Sequence, residues 1–151
     1  MIKVAALTFA LALSINHHCF TQEQERFLPY GYYSIEGEVP AAFKEIDTIQ
    51  HWLPRQESSG PDVSERLAGV HVLGGVRYRF TMIKANRKGF SFTTRKVKGV
   101  HYSFSGRFLR TDFVNDELTE ERAVAKGTLV KFKNGVRVAR ATILLSFFSG
   151  T

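Results

Sequence analysis

The sequence predicts a mainly β fold: an antiparallel meander closing into a small barrel or sandwich of about seven strands, with one short N-terminal helix. Three observations lead there. Successive segments from residue 76 onward alternate apolar and polar residues with a period of two, as half-buried strands do. Gly and Asn residues suited to tight turns separate those segments at short intervals. Thirteen Phe and five Tyr against a single Trp favour side chains that fit pleated surfaces.

In chain order, residues 1–21 come first and read as a cleavable signal peptide. Lys3 and the N-terminal amine supply positive charge, and Val4 to Ile15 form a predominantly apolar run of twelve residues. Spanning a bilayer takes roughly 20 such residues, and no second stretch comes near that length, so a membrane-spanning chain is not expected. The expected location is therefore secreted or periplasmic. Cys19 is the only cysteine. His17 and His18 before it argue against lipidation, and a cut before Gln22 leaves a domain held by its core without disulfides.

Residues 22–151 are expected to form one domain, enough chain for one core but not for two. Its two parts differ in charge. Residues 22–65 hold three basic and nine acidic residues, a net −6, whereas residues 66–151 hold seventeen and five, a net +12. With Lys3 these sum to the +7 of the whole chain. Between residues 76 and 110 there are ten Lys and Arg and no acid.

The acidic part is the less regular. Tyr30 to Gly37 reads as a first strand. Phe43, Ile46, Ile49 and Leu53 follow Pro40 at helical spacing, which predicts an amphipathic helix ending at Pro54 and covering an open end of the barrel. Residues 56–62 are a loop.

The basic part carries strands near 67–73, 76–84, 90–96, 100–110, 123–133 and 136–148, which join a first strand near 32–36. Strict alternation puts Val76, Tyr78, Phe80 and Met82 on one face, with Phe90, Phe92, Val100, Tyr102, Phe104 and Phe108 on the same side of the sheet. Val97-Lys98-Gly99 reads as a three-residue hairpin loop, and Asn134-Gly135 as a two-residue turn. Continued from that turn, alternation places Val130, Phe132, Ala139, Ala141 and Ile143 inward, with Lys131, Lys133 and Arg140 outward. A meander carrying F-x-G-x-F at 104–108 and K-F-x-N-G at 131–135 resembles a small lipocalin-like barrel in architecture.

Two candidate sites emerge. Hairpin registers set Arg79, Arg95 and His101 side by side on the polar face, with Arg77 and Arg107 nearby. Like charges directly opposite one another destabilise a sheet, so this row implies an anionic neighbour. That neighbour is an anionic lipid, polysaccharide or protein surface, or the chain's own acidic segment carrying Glu36, Glu38, Glu45 and Asp47. Nucleic acid is not expected as a partner. Stacking aromatics would have to share the cationic face, and they lie on the other one. The second site is an apolar cavity for a small ligand, lined by Tyr78, Phe80, Phe92, Tyr102, Phe104 and Phe132. A filled core is the competing reading.

Catalytic and metal motifs are missing. His51, His71 and His101 have no H-x-x-x-H or H-E-x-x-H spacing, and no serine sits in a G-x-S-x-G elbow. Asp112, Asp116, Glu117, Glu120 and Glu121 read as a solvated loop rather than a calcium site, and Gly74-Gly75 lacks the lysine of a phosphate loop. No cofactor is expected. The function predicted is that of an exported, non-enzymatic binding or structural protein; the alternative is a carrier of a small hydrophobic ligand.

Overall fold

A computed structural model of the protein describes residues 27, 29–51, 68–115 and 122–148. The signal peptide expected at 1–21 and the loop expected at 56–62 lie outside the described residues. Eight antiparallel strands form a closed barrel in simple up-and-down order. They are β1 (Gly31–Glu36), β2 (Ile46–His51), β3 (Gly69–Val72), β4 (Arg77–Asn86), β5 (Gly89–Thr94), β6 (Val100–Phe108), β7 (Ala123–Lys133) and β8 (Val136–Phe148). β1 closes the ring on β8, pairing Tyr33 with Phe147 and Ile35 with Leu145.

The strand beyond the seven expected is β2, which stands where the sequence pattern predicted a helix. Residues Ala41–Phe43 make only a single 3₁₀ turn, and the chain then extends into β2. The three-residue spacing of Ile46 and Ile49 has another cause. Ile46 faces Val72 while Thr48 faces His71, so Asp47 is an extra residue in the ladder. Such a bulge reverses the alternation, and both isoleucines turn into the core. β-branched Ile46, Thr48 and Ile49 favour the strand.

The same device recurs. β4 pairs Phe80 with Thr94 but Met82 with Thr93, so Met82 turns outward and Ile83 and Ala85 pack against the core. β8 pairs Ala139 with Lys131 but Arg137 with Phe132, leaving Val138 as the extra residue. Strict alternation fails there too. Lys131 points into the barrel mouth, and Phe132 and Val130 face outward, reversing the faces predicted for all three. β7 has a further shift between Ala123 and Ala125, where Val124 and Ala125 are both buried.

The inside is aromatic. Phe90 lies 4.9 Å from Tyr33, 5.5 Å from Phe104 and 5.4 Å from Phe108, centroid to centroid, and Phe92 lies 5.6 Å from Phe104. These are contact distances for rings. Gly106 and Gly127 face each other across β6 and β7, and the tip of the Phe104 ring fills the space their side chains would need.

One rim, here called upper, carries the connections from odd to even strands: 37–45, 73–76, 95–99 and 134–135. Phe43 is buried beneath it. At the lower rim Phe27 meets Phe108 at 5.1 Å, and the Pro29 carbonyl accepts from the Tyr33 hydroxyl at 2.7 Å and from His51 Nδ1 at 3.1 Å. Burial lowers the His51 pKa more than the Pro29 bond raises it, so a neutral ring with Nδ1–H is held there.

The glycine pair is testable. Gly127→Ala sets a carbon 2.5 Å from Phe104 Cζ and 2.6 Å from Gly106 Cα. Such overpacking is expected to cost about 1–3 kcal/mol in urea denaturation. Gly89→Ala meets only a carbonyl oxygen at 3.4 Å and should change stability by less than about 0.5 kcal/mol. Equal effects for the two would remove the role assigned to the slot.

Candidate functional site

The cationic row is built by two hairpins. β3 and β4 are joined by a tight turn in which Gly74 and Gly75 both have positive φ, 88° and 80°. This is why two glycines stand together there: a turn needs them, not a phosphate loop. The turn pairs His71 with Arg77 and Gly69 with Arg79. Arg77 and Arg79, two apart on one strand, therefore share the outer face. The Arg95 amide donates to the Arg79 carbonyl at 2.7 Å, which brings Arg95 beside Arg79. After Arg95 the chain turns through Lys98 and Gly99, with φ of 48° and 82°, and Val97 and Val100 exchange two backbone bonds. The connection is thus a two-residue turn, one residue tighter than the sequence pattern indicated.

A concavity of about 560 Å³ lies between these hairpins, and Arg77, Arg79, Arg95, Lys96 and His71 line it. Arg79, Arg95 and Lys96 are exposed and Arg77 is half-buried. Arg77 Nε is buried without a hydrogen-bond partner in the protein. Burial, reinforced by the Arg79 charge, lowers the Arg77 pKa. Among the described residues, no carboxylate forms an ion pair with Arg77, Arg79, Arg95 or Lys96. The arrangement offers several N–H donors and concentrated positive charge to an anionic group.

The described part of the acidic segment, with Glu36, Glu38, Glu45 and Asp47, does not cover this row. Its residues are the β1–β2 wall of the barrel, and Glu45 reaches the opposite way, into the mouth. There Glu45 Oε1 accepts from Lys131 Nζ at 2.5 Å and from the Tyr102 hydroxyl at 2.8 Å. Burial raises the Glu45 pKa, but the bonds from Lys131, its own backbone amide and Tyr102 together bring it below the ordinary carboxylate range.

The remaining predicted residues fall elsewhere. His101 sits on the outer face opposite Phe132, and their rings stack at 4.5 Å, within 2° of parallel. Together with Ser103, Val136, Arg137 and Arg140, Phe132 lines a second outer concavity instead of the interior. Arg107 is exposed opposite Lys126 toward the lower rim. It lies six positions beyond His101, about 20 Å along a strand, so it is not part of the cluster. Lys96 and His71 escaped the sequence reading. Lys96 adjoins Arg95 in a turn, and His71 becomes visible only once β3 is paired with β4.

Tyr78, Phe80, Phe92, Tyr102 and Phe104 do line the interior. Tyr78 contacts Tyr102 at 4.9 Å and Phe80 contacts Phe92 at 5.0 Å, so these rings pack on one another. Among the described residues no three His, Cys, Asp or Glu gather as metal ligands. Of the acidic loop, Asp112 binds Arg110 at 2.6 Å, and residues 116–121 lie outside the described part. No described helix is long and apolar enough to cross a membrane. The strands carry Arg79, Lys84, Lys126 and Arg140 outward around an apolar interior, the reverse of a transmembrane barrel's pattern. No protein-family model, curated protein or solved structure matches the chain.

The lowered Glu45 pKa has a sign. Its contribution to stability is complete above the unfolded value, near 4.5, and is lost as pH falls through the lower folded value. Glu45→Gln is expected to cost about 1–2 kcal/mol at pH 7, since Lys131 loses its partner in a half-exposed site. The loss of stability between about pH 5 and 3 should become shallower in the variant. Urea melts across that range read both effects, and an unchanged acid limb would remove Glu45 from the account.

Proposed function

We propose that this protein is an exported, non-enzymatic binding protein whose barrel is a rigid scaffold for an anion-recognition patch of Arg77, Arg79, Arg95 and Lys96. The observation that carries the reading is the concavity itself. Four cations converge on it, and no described carboxylate meets them. Cations aligned on adjacent strands repel one another, and an approaching anion relieves that repulsion. Export rests on the leader: a positively charged start, an apolar run too short to span, and a polar segment after it.

An open-barrel carrier of an apolar ligand would use the interior. A barrel of this architecture is compatible with such a role, but the rings proposed to line a cavity fill one another's space. The outer patch is the better supported site.

Binding to an immobilised sulfated polysaccharide tests the proposal without presupposing the natural ligand. The mature protein should bind at low salt and elute as salt approaches about 1 M, where the screening length is near 3 Å. Arg79→Glu with Arg95→Glu should lower affinity at least about tenfold, whereas Arg107→Glu should have a much smaller effect. Equal losses from the two sets of changes would reduce the patch to general positive charge.

A further inference from the structure

The upper rim joins two kinds of side chain that the anion patch alone does not explain. At the β3–β4 turn Leu73 is 66% exposed and Val76 37% exposed, immediately before Arg77. At the β7–β8 turn Val136 is 67% exposed and Val138 53%, beside Lys133, Arg137 and Arg140. Between them the β5–β6 turn carries exposed Lys96 and Lys98. Residues 66–111 and 122–151 contain no acid, so none stands on any of these three hairpins. An isolated exposed aliphatic residue needs no explanation; aliphatic residues repeated at turns of one rim, each among cations, form a pattern.

The rim is also braced. The Asn134 amide donates to the Gly99 carbonyl at 2.7 Å, tying the β7–β8 tip to the β5–β6 tip. The Leu73 amide donates to the Glu45 carbonyl at 2.7 Å, fixing the β3–β4 tip to the neighbouring connection. Glu45 itself is neutralised by Lys131. Glu36, Glu38 and Asp47 remain on the β1–β2 side, which makes the rim positive on one flank and negative on the other.

We propose that the β3–β8 side of the upper rim docks on an anionic lipid bilayer, with Leu73, Val76 and Val136 entering the interface and the cations holding lipid phosphates. The proposal rests on the anion-binding reading and names its partner. A bilayer is favoured over a soluble polyanion because only a bilayer places apolar material just beneath a plane of negative charge. Depth agrees as well. Arg77 lies two residues beyond Gly75, about 7 Å along the strand, and the headgroup layer is roughly 5–8 Å thick. Tips seated at the acyl boundary therefore set Arg77 at phosphate level. Glu36, Glu38 and Asp47 are repelled by the same surface, so the barrel approaches tilted onto its basic flank.

Cosedimentation of the mature protein with vesicles tests this, using neutral phosphatidylcholine and the same lipid with phosphatidylglycerol added. Binding is expected to the anionic vesicles only, and to fall steeply with salt. Leu73→Ser with Val136→Ser should weaken vesicle binding about tenfold while leaving the sulfated-polysaccharide affinity and the melting temperature unchanged. Arg79→Glu with Arg95→Glu should weaken both. Wild-type vesicle binding by the tip variant, or capture of the polysaccharide but not of vesicles, overturns membrane docking and leaves anion binding standing. Binding to neither ligand overturns both.

Discussion

Closure of β1 on β8 around a packed aromatic interior is the constraint on which the rest of the structure depends. An eight-stranded barrel leaves an inside just wide enough for side chains to fill. Tyr33, Phe90, Phe92, Phe104 and Phe108 fill it here, and the Gly106–Gly127 pair lets the Phe104 ring lie against the wall. To close the ring, the acidic N-terminal segment must itself become wall. It supplies β1 and β2, and Glu45 turns inward to Lys131 and Tyr102. Residues 31–36 and 46–51 are then committed to the wall and cannot lie over the cationic row. Among the described residues, Glu36, Glu38 and Asp47 stay on the β1–β2 side, apart from Arg77, Arg79 and Arg95.

Much of the fold was legible because period-two alternation and turn chemistry are local. Asn134-Gly135 needs positive φ at both positions and adopts it, 53° and 84°. The seven strands expected from 32 to 148 all form, and the barrel is antiparallel throughout. What local reading missed in the strand faces traces to one cause. A bulge inserts a residue and reverses every face beyond it, and nothing in the composition of Asp47, Thr81 or Val138 announces one. The bulge at Asp47 made a strand imitate helical spacing. The bulge at Val138 exchanged Lys131 for Phe132, removing one apolar lining residue and supplying Glu45 with its partner.

The cationic site was legible in part for the same reason. Arg79 and Arg95 are linked by one hairpin and are neighbours through a backbone bond. Arg77 follows from strand alternation. Arg107, on the same face but about 20 Å away, shows that sharing a face is weaker information than sharing a rung. Lys96 and His71 depend on a turn and on a pairing partner outside the basic stretch, neither of which charge counting weighs. The upper rim was not anticipated at all, since only the closed barrel shows that three basic hairpin tips meet at one end.

The central claim is that among the described residues the arginine row has no carboxylate partner. The stability of Arg79→Met at low ionic strength tests it most directly. An unpartnered arginine beside Arg77 and Arg95 is repelled by both, so its removal should leave the urea midpoint unchanged or raise it. A loss of more than about 1 kcal/mol, relieved by added salt in the wild type, would show that a carboxylate of the chain covers the row and would contradict the account.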